Sequence, residues 1–241
     1  MKQKAIHKAM ENFLNGEVVL IDKPLEWTSF DAVKKIRTLT GISKVGHAGT
    51  LDPLATGLLI ICTGNFTKKI SEYMGMEKEY TGSFTLGATT ATYDLEREPA
   101  NFKDISHVSN EDIYDTTKNF IGEIFQTPPI HSAIKQDGKP VYLLARKGKE
   151  VILEPRKIII SLFKITKIIL PEIEFKVVCS TGTYIRSLAN DFGNVLGTGA
   201  YLSRLRRTKI GNFSVDNALS PQQFEEKIIR MKGLSERQTN T

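Results

Sequence analysis

Cysteine is scarce: Cys62 and Cys179 are the only two in 241 residues. Cys62 sits in the apolar run LLIICTG and Cys179 in the strand-like FKVVCS. Both read as small core residues, so neither a disulfide framework nor a thiolate metal site is built from them. Histidine is as sparse, with His7, His47, His107 and His131 scattered and none at metal-ligand spacing, which predicts no metal. There is no Walker pattern, so the usual nucleotide-phosphate cradle is disfavoured. No apolar run approaches the length that spans a bilayer, and the first residues, MKQKAIHKAMENFLNGE, are charged throughout with no apolar signal core. These absences predict a cytoplasmic protein in a reducing compartment, away from membranes. Internal repeats, low-complexity linkers and composition breaks are also missing.

What is present is an ordinary globular composition, 40% hydrophobic and 25% charged, in a chain long enough to bury one substantial core. The net charge of +6, with an isoelectric point near 9.2, favours a polyanionic partner. Lys135, Lys139, Arg146, Lys147 and Lys149 form one basic cluster, and Arg204, Arg206, Arg207 and Lys209 a second. Such clusters either meet a phosphate backbone or solvate a surface, and charge alone leaves both open.

Strand and helix patterns interleave. EVVLID (Glu17 to Asp22) reads as a strand stopped by Lys23-Pro24. TSFDAVKKIRTLTG reads as a helix with Thr28 or Ser29 as N-cap and Gly41 at its stop. A loop follows, then a buried strand from Leu58 to Cys62 and a short helix in NFTKKISEYM. From Lys78, alternation puts Tyr80, Gly82, Phe84 and Leu86 on one strand face. A helix begins near Ser109 or Asn110 and ends near Gly122. KIIISLFKITKIIL and IEFKVVCS read as paired strands separated by Pro171, and a helix runs from Thr183 to about Leu196, before the Gly-rich GTGAYLSRLRR. Ser220-Pro221-Gln222-Gln223 carries the residues of a capping box and predicts a closing helix, with disorder after Lys232. The expected class is α+β around a mixed sheet.

The loop VGHAGTLDPLATGLL places His47 and Asp52 among glycines and a proline. An Asp-Pro pair at this place is commonly a turn former. Equally, Gly46, Gly49 and Gly57 let backbone approach a large ligand, and a carboxylate on a rigid turn can attack an electrophilic carbon. His47 taken alone is more often a polar surface or satisfied loop histidine than a general base. Tyr80 reads as a half-buried strand aromatic and Arg186 as a solvated helix residue, unless that helix end faces the Asp52 loop.

Six stretches, in order, resemble the bacterial TruB family of tRNA pseudouridine synthases: VVLIDKPLEWTSFDAV, GHAGTLDPLATGLLIICTG, KEYTGSFTLGATTATYDLE, PPIHSAIKQDGKPVYLLARKG, GTYIRSLANDFG and GAYLSRLRRTKIGNF. The resemblance implies the pseudouridine synthase fold, a mixed, mainly antiparallel sheet flanked by helices. It implies conversion of uridine to pseudouridine at the T-loop position of tRNA conventionally numbered 55, without a cofactor. By motif match Asp52 is the catalytic aspartate and His47 the histidine associated with extruding the target base. Tyr80 packs against the uracil, Arg186 pairs with the aspartate, Leu205 lines the pocket, and Lys23 and Tyr184 line the cleft. The implied partner is the tRNA T-arm, with a monomer and no obligate protein partner expected. A catalytic domain is expected over residues 16–231, after an extension of residues 1–15 and before a tail of residues 232–241. An RNA-gripping insertion is expected at about 128–152, and no C-terminal RNA-binding domain. His131 and Arg97 depart from the family's usual Tyr and Gly. The rival expectation is a non-catalytic tRNA-binding or tRNA-folding protein.

Overall fold

An unbroken run of small and apolar residues, Ala55–Thr63, forms the strand (β3) on which the first part of the molecule is built. The computed structural model describes residues 11–132, 135–136, 139–140 and 153–236. These fall into two units, one of Met1–Lys78 with Arg206–Thr241 and one of Glu79–Leu205.

In the first unit, Val18–Lys23 (β1) runs antiparallel to β3, from Val18 opposite Cys62 to Lys23 opposite Gly57. Val45–Ala48 (β2) takes the other edge, from Val45 opposite Thr63 to Ala48 opposite Ile60. Leu59 and Ile61 face one apolar cluster with Val19, Ile21, Val33, Ile36, Phe224 and Ile228. Leu58, Ile60 and Cys62 face another with Ala48, Tyr73, Ile210 and Val215. Burial on both faces is why β3 reads as an apolar run without alternation. Each fully buried large aliphatic here contributes about 1.5–3 kcal/mol. Helix α1, Ser29–Thr40, starts with a capping box in which Thr28 and Asp31 exchange side-chain and backbone hydrogen bonds, and ends at Gly41. A 3-10 turn, Gly64–Lys69, leads into α2, Ile70–Gly75. Residues 11–15 are helical, and Phe13 is buried edge-on against Phe224 with centroids 6.1 Å apart. The end of the expected N-terminal extension is thus built into this core, while residues 1–10 lie outside the described residues.

The second unit is organised on the hairpin of Arg156–Ile169 (β8) and Glu172–Cys179 (β9), paired as the sequence implies. Register shifts between Ile160 and Leu162 and between Ile165 and Lys167 let β8 change which residues face inward, the usual effect of a bulge. Gly122–Gln126 (β5) borders β8. Lys78–Leu86 (β4) and Ala200–Ile210 (β10) complete the order β10-β4-β9-β8-β5. Phe84, Phe120, Phe163, Phe175 and Phe192 form its aromatic core, with Phe84 and Phe175 centroids 4.3 Å apart. Helices α3, Asn110–Lys118, and α4, Ile185–Val195, bring Ile113, Leu188 and Phe192 into buried positions. The chain passes from one unit to the other within β4 and within β10.

The class is α+β with mainly antiparallel pairing. Strands appear where none was read: β2 lies inside the expected loop, β5 follows directly on the expected helix end near Gly122, and β10 runs for eleven residues where only a Gly-rich, basic stretch was read. The closing helix α5, Pro221–Glu236, has its expected box, with Ser220 N donating to Gln223 Oε1 (2.8 Å) and Gln223 N to Ser220 Oγ (3.1 Å). It continues past Lys232. In the expected RNA-gripping insertion, Lys135–Gln136 (β6) pairs with Lys139–Pro140 (β7). Residues 133–134, 137–138 and 141–152, with Arg146, Lys147 and Lys149, lie outside the described residues, as do 237–241 of the expected tail.

Candidate active site

The turn from Gly49 to Pro53 carries Asp52, and each of its five residues is anchored through its backbone. Gly49 O and Thr50 O accept from the Arg207 guanidinium at 3.0 and 3.4 Å. Leu51 N donates to Ser29 Oγ at 2.9 Å, and Ser29 Oγ donates back to Leu51 O at 3.2 Å. Asp52 O accepts from Ala55 N at 3.0 Å. Pro53 O accepts from Glu26 N at 2.9 Å and from Lys23 Nζ at 3.4 Å. A half-buried carboxylate on a backbone pinned at every step is a fixed group that needs no reorganisation when a substrate arrives.

Two cations make this clamp. Lys23 has no exposed surface, and its ammonium also donates to Pro24 O (2.9 Å) and Trp27 O (2.6 Å). Burial lowers its pKa to about 8, with the Asp52 charge opposing and the Arg207 charge adding to the fall. Arg207, only 1% exposed, reaches Leu58 O at 2.8 Å as well as the turn. Its own backbone leaves no room beside β3: a Cβ on Gly57, which sits at φ 104°, would lie 2.3 Å from Arg207 O. His47, half-buried in β2, has its pKa lowered, first by burial and then by the Arg207 charge, and partly restored by the Gly49 backbone. At neutral pH it is therefore an uncharged imidazole. Lys23, His47 and Asp52 are thus brought together around one turn of the first unit.

In the second unit, Tyr80 is buried in β4, while Leu205 is partly exposed in β10. Tyr184 is the N-cap of α4, and its N–H donates to Gln126 Oε1 at 2.8 Å while its carbonyl accepts from Gln126 Nε2 at 3.1 Å. Arg186 is not the solvated residue that helix position alone suggests: it and Asp94 are each only 5% exposed, with Nε 3.6 Å from Asp94 Oδ2. Its other nitrogens donate to Thr92 O (3.4 Å) and His131 O (3.1 Å). The departing residue His131 therefore contributes its backbone here, a role that tolerates either side chain.

Sequence reasoning missed Asp94, Ser29 and Arg207. Asp94 lay in the quoted TATYDLE, and its signal was an acid inside a Thr-rich turn. The second basic cluster is largely engaged within the protein: Arg204 bonds Glu172 (2.8 Å) and Glu174 (3.1 Å), Arg206 bonds both Asp22 oxygens (3.0 and 2.7 Å), and Arg207 is buried. Among the described residues no group of three or more His, Cys, Asp or Glu could hold a metal, and no helix is long and apolar enough to cross a membrane.

Residues 37–185 match the model of the TruB family pseudouridylate synthase N-terminal domain, and residues 186–238 that of the tRNA pseudouridylate synthase B C-terminal domain. The chain is 56% identical over 225 residues to the tRNA pseudouridine synthase B of Flavobacterium johnsoniae, covering 90% of this chain and 98% of that protein. It is 48% identical over 221 residues to that of Phocaeicola vulgatus, covering 89% and 94%. Among solved structures it is similar to a chain of a Cbf5-Nop10-Gar1 complex, at 28% identity and a TM-score of 0.73. A chain of an H/ACA RNP bound to a substrate RNA containing 2′-deoxyuridine matches at 25% identity and 0.71. This chain is covered to 92% and 93% in those matches and spans 57% of each solved chain.

Proposed function

Since this chain belongs to the TruB family of pseudouridylate synthases, we propose that it isomerises uridine 55 of the tRNA T-loop to pseudouridine, with Asp52 as its catalytic carboxylate. The observation that carries the assignment is the Gly49–Pro53 turn, anchored residue by residue beneath Asp52. A turn former alone needs no such mount, whereas a reacting carboxylate does.

The reaction breaks the N1–C1′ bond, turns the uracil, and joins C5 to C1′. N1 gains one proton and C5 loses one, so atoms and oxidation state are conserved and the chemistry draws on no cofactor. Folded RNA presents this base only once it is flipped from the stack. Asp52 acts on the sugar as an ionised carboxylate, in the manner of glycosyl transfer. Tyr80 provides an aromatic floor that stacks on the uracil and keeps water from the detached base. Neutral His47 stands beside the extruded base, and Arg186, Tyr184, Leu205 and Lys23 are the other residues that the family motifs assign to the cleft. The insertion at about 128–152 grips phosphates, so binding should weaken steeply with salt. The protein acts as a cytoplasmic monomer on the T-arm.

Unmodified tRNA transcript, read by carbodiimide treatment and primer extension, tests the proposal. Wild type should leave a stop at position 55, and Asp52→Asn should leave none while holding tRNA as well as wild type does. Absence of the stop with wild type would sink the enzyme reading in favour of tRNA binding alone.

A further inference from the structure

Arg207 is the largest fully buried side chain among the described residues, and its guanidinium is enclosed by main-chain oxygens rather than aimed at solvent. The fork bridges two different pieces of chain. Nε donates to Leu58 O in β3, while the two terminal nitrogens donate to Gly49 O and Thr50 O in the turn. It thereby fixes the distance between a strand buried on both faces, which cannot shift, and the first half of the turn that carries Asp52. A planar guanidinium with five donors in fixed directions can span both; an ammonium is a single point and cannot. Gly57 lets the Arg207 backbone lie directly against β3, and Gly49, at φ 87°, turns its carbonyl toward the guanidinium.

We infer that Arg207 is a positioning residue for the isomerisation, setting the placement of Asp52 by clamping the Gly49–Thr50 carbonyls to β3. The inference rests on Asp52 being the catalytic carboxylate. Arg207 touches neither substrate nor reacting atoms in this role. Its charge has a second effect through the same geometry, since it bears on both Lys23 and His47, the two other titratable groups flanking the turn.

Arg207→Lys keeps the charge and removes the fork, and Arg207→Met removes both. Single-turnover rates on T-arm RNA are measured with enzyme in excess, the active fraction being counted from RNA-binding stoichiometry. A misplacement near 1 Å at a reacting group costs on the order of 10²-fold in rate, which is the loss expected in Arg207→Lys, with RNA affinity within about threefold of wild type. Amide hydrogen exchange should quicken at Thr50, Leu51 and Asp52 while the amides of β9 keep their protection. A merely structural residue would instead raise exchange throughout the first unit. A wild-type rate in Arg207→Lys, unchanged exchange at the turn, or failure of both variants to fold overturns the inference. Asp52→Asn run alongside separates the two levels. Turnover retained there removes the reading underneath, whereas turnover lost there but kept in Arg207→Lys removes only the role of Arg207.

Discussion

Two buried arginines, one in each unit, are ligated in different ways. Arg207 bonds neutral carbonyls of Gly49, Thr50 and Leu58, whereas Arg186 sits beside the Asp94 carboxylate and adds carbonyls of Thr92 and His131. Carbonyl ligands fix shape but leave the charge unneutralised, which is why Lys23 and His47 both feel Arg207. A carboxylate ligand balances charge. The first arrangement governs where a loop lies, the second how much field a cation exerts, and substitutions should separate these properties.

The largest expected effect is on the group the first arrangement serves. Asp52→Asn should lower turnover by about four orders of magnitude, since it removes the reacting carboxylate and leaves its mount intact. Next comes the charge-balanced side. Asp94→Asn strands a buried guanidinium, and breaking such a pair costs about 3–5 kcal/mol, to be read from the urea unfolding midpoint. Arg186→Lys tests the same pair from its other end, because the ammonium keeps the charge without the planar fork. A midpoint unchanged by Asp94→Asn would erase the contrast between the two arginines.

Lys23 sharpens the comparison through pH. Its pKa falls to about 8 in the folded protein from an ordinary 10.5. Between those values the unfolded chain binds more protons, so the Lys23 contribution makes stability rise with pH across that window. Turnover should move in the opposite direction as pH passes 8, because the neutral amine has fewer protons to donate to Pro24 O, Trp27 O and Pro53 O. Rates and urea midpoints measured across that range should diverge in wild type, and the divergence should vanish in Lys23→Met. Parallel changes would mean that the ammonium does not hold the turn. The smallest effect is a control at a helix cap whose hydrogen bonds involve neither arginine. Ser220→Ala removes the α5 cap and should cost about 1 kcal/mol with turnover unaltered.

Local signals made much of this molecule readable. The α1 and α5 boundaries follow from capping residues within three positions of each other, and the β8–β9 hairpin from two apolar runs around Pro171. Asp52 was readable as a candidate because turn chemistry is local. Arg207 was not: its partners lie 149 to 158 residues away, and nothing adjacent distinguishes a buried arginine from the exposed Arg204 three positions earlier. For the same reason β10 read only as a Gly-rich, basic stretch, since the charges of Arg204 and Arg206 are met by Glu172, Glu174 and Asp22, from other parts of the chain. Asp94 stood inside a motif yet acquired meaning only from the helix that brings Arg186 beside it.

Gly57 has a consequence in genetics. Every missense change reachable by one base from a glycine codon introduces a side chain, and the first carbon of any side chain there collides with the Arg207 carbonyl. The codon therefore has no conservative missense neighbour, and a random mutational scan should find this position intolerant even though glycine contributes no functional group. Suppressors of such alleles should map to the β10 segment around Arg207, 150 codons downstream in the reading frame, rather than to the Asp52 turn.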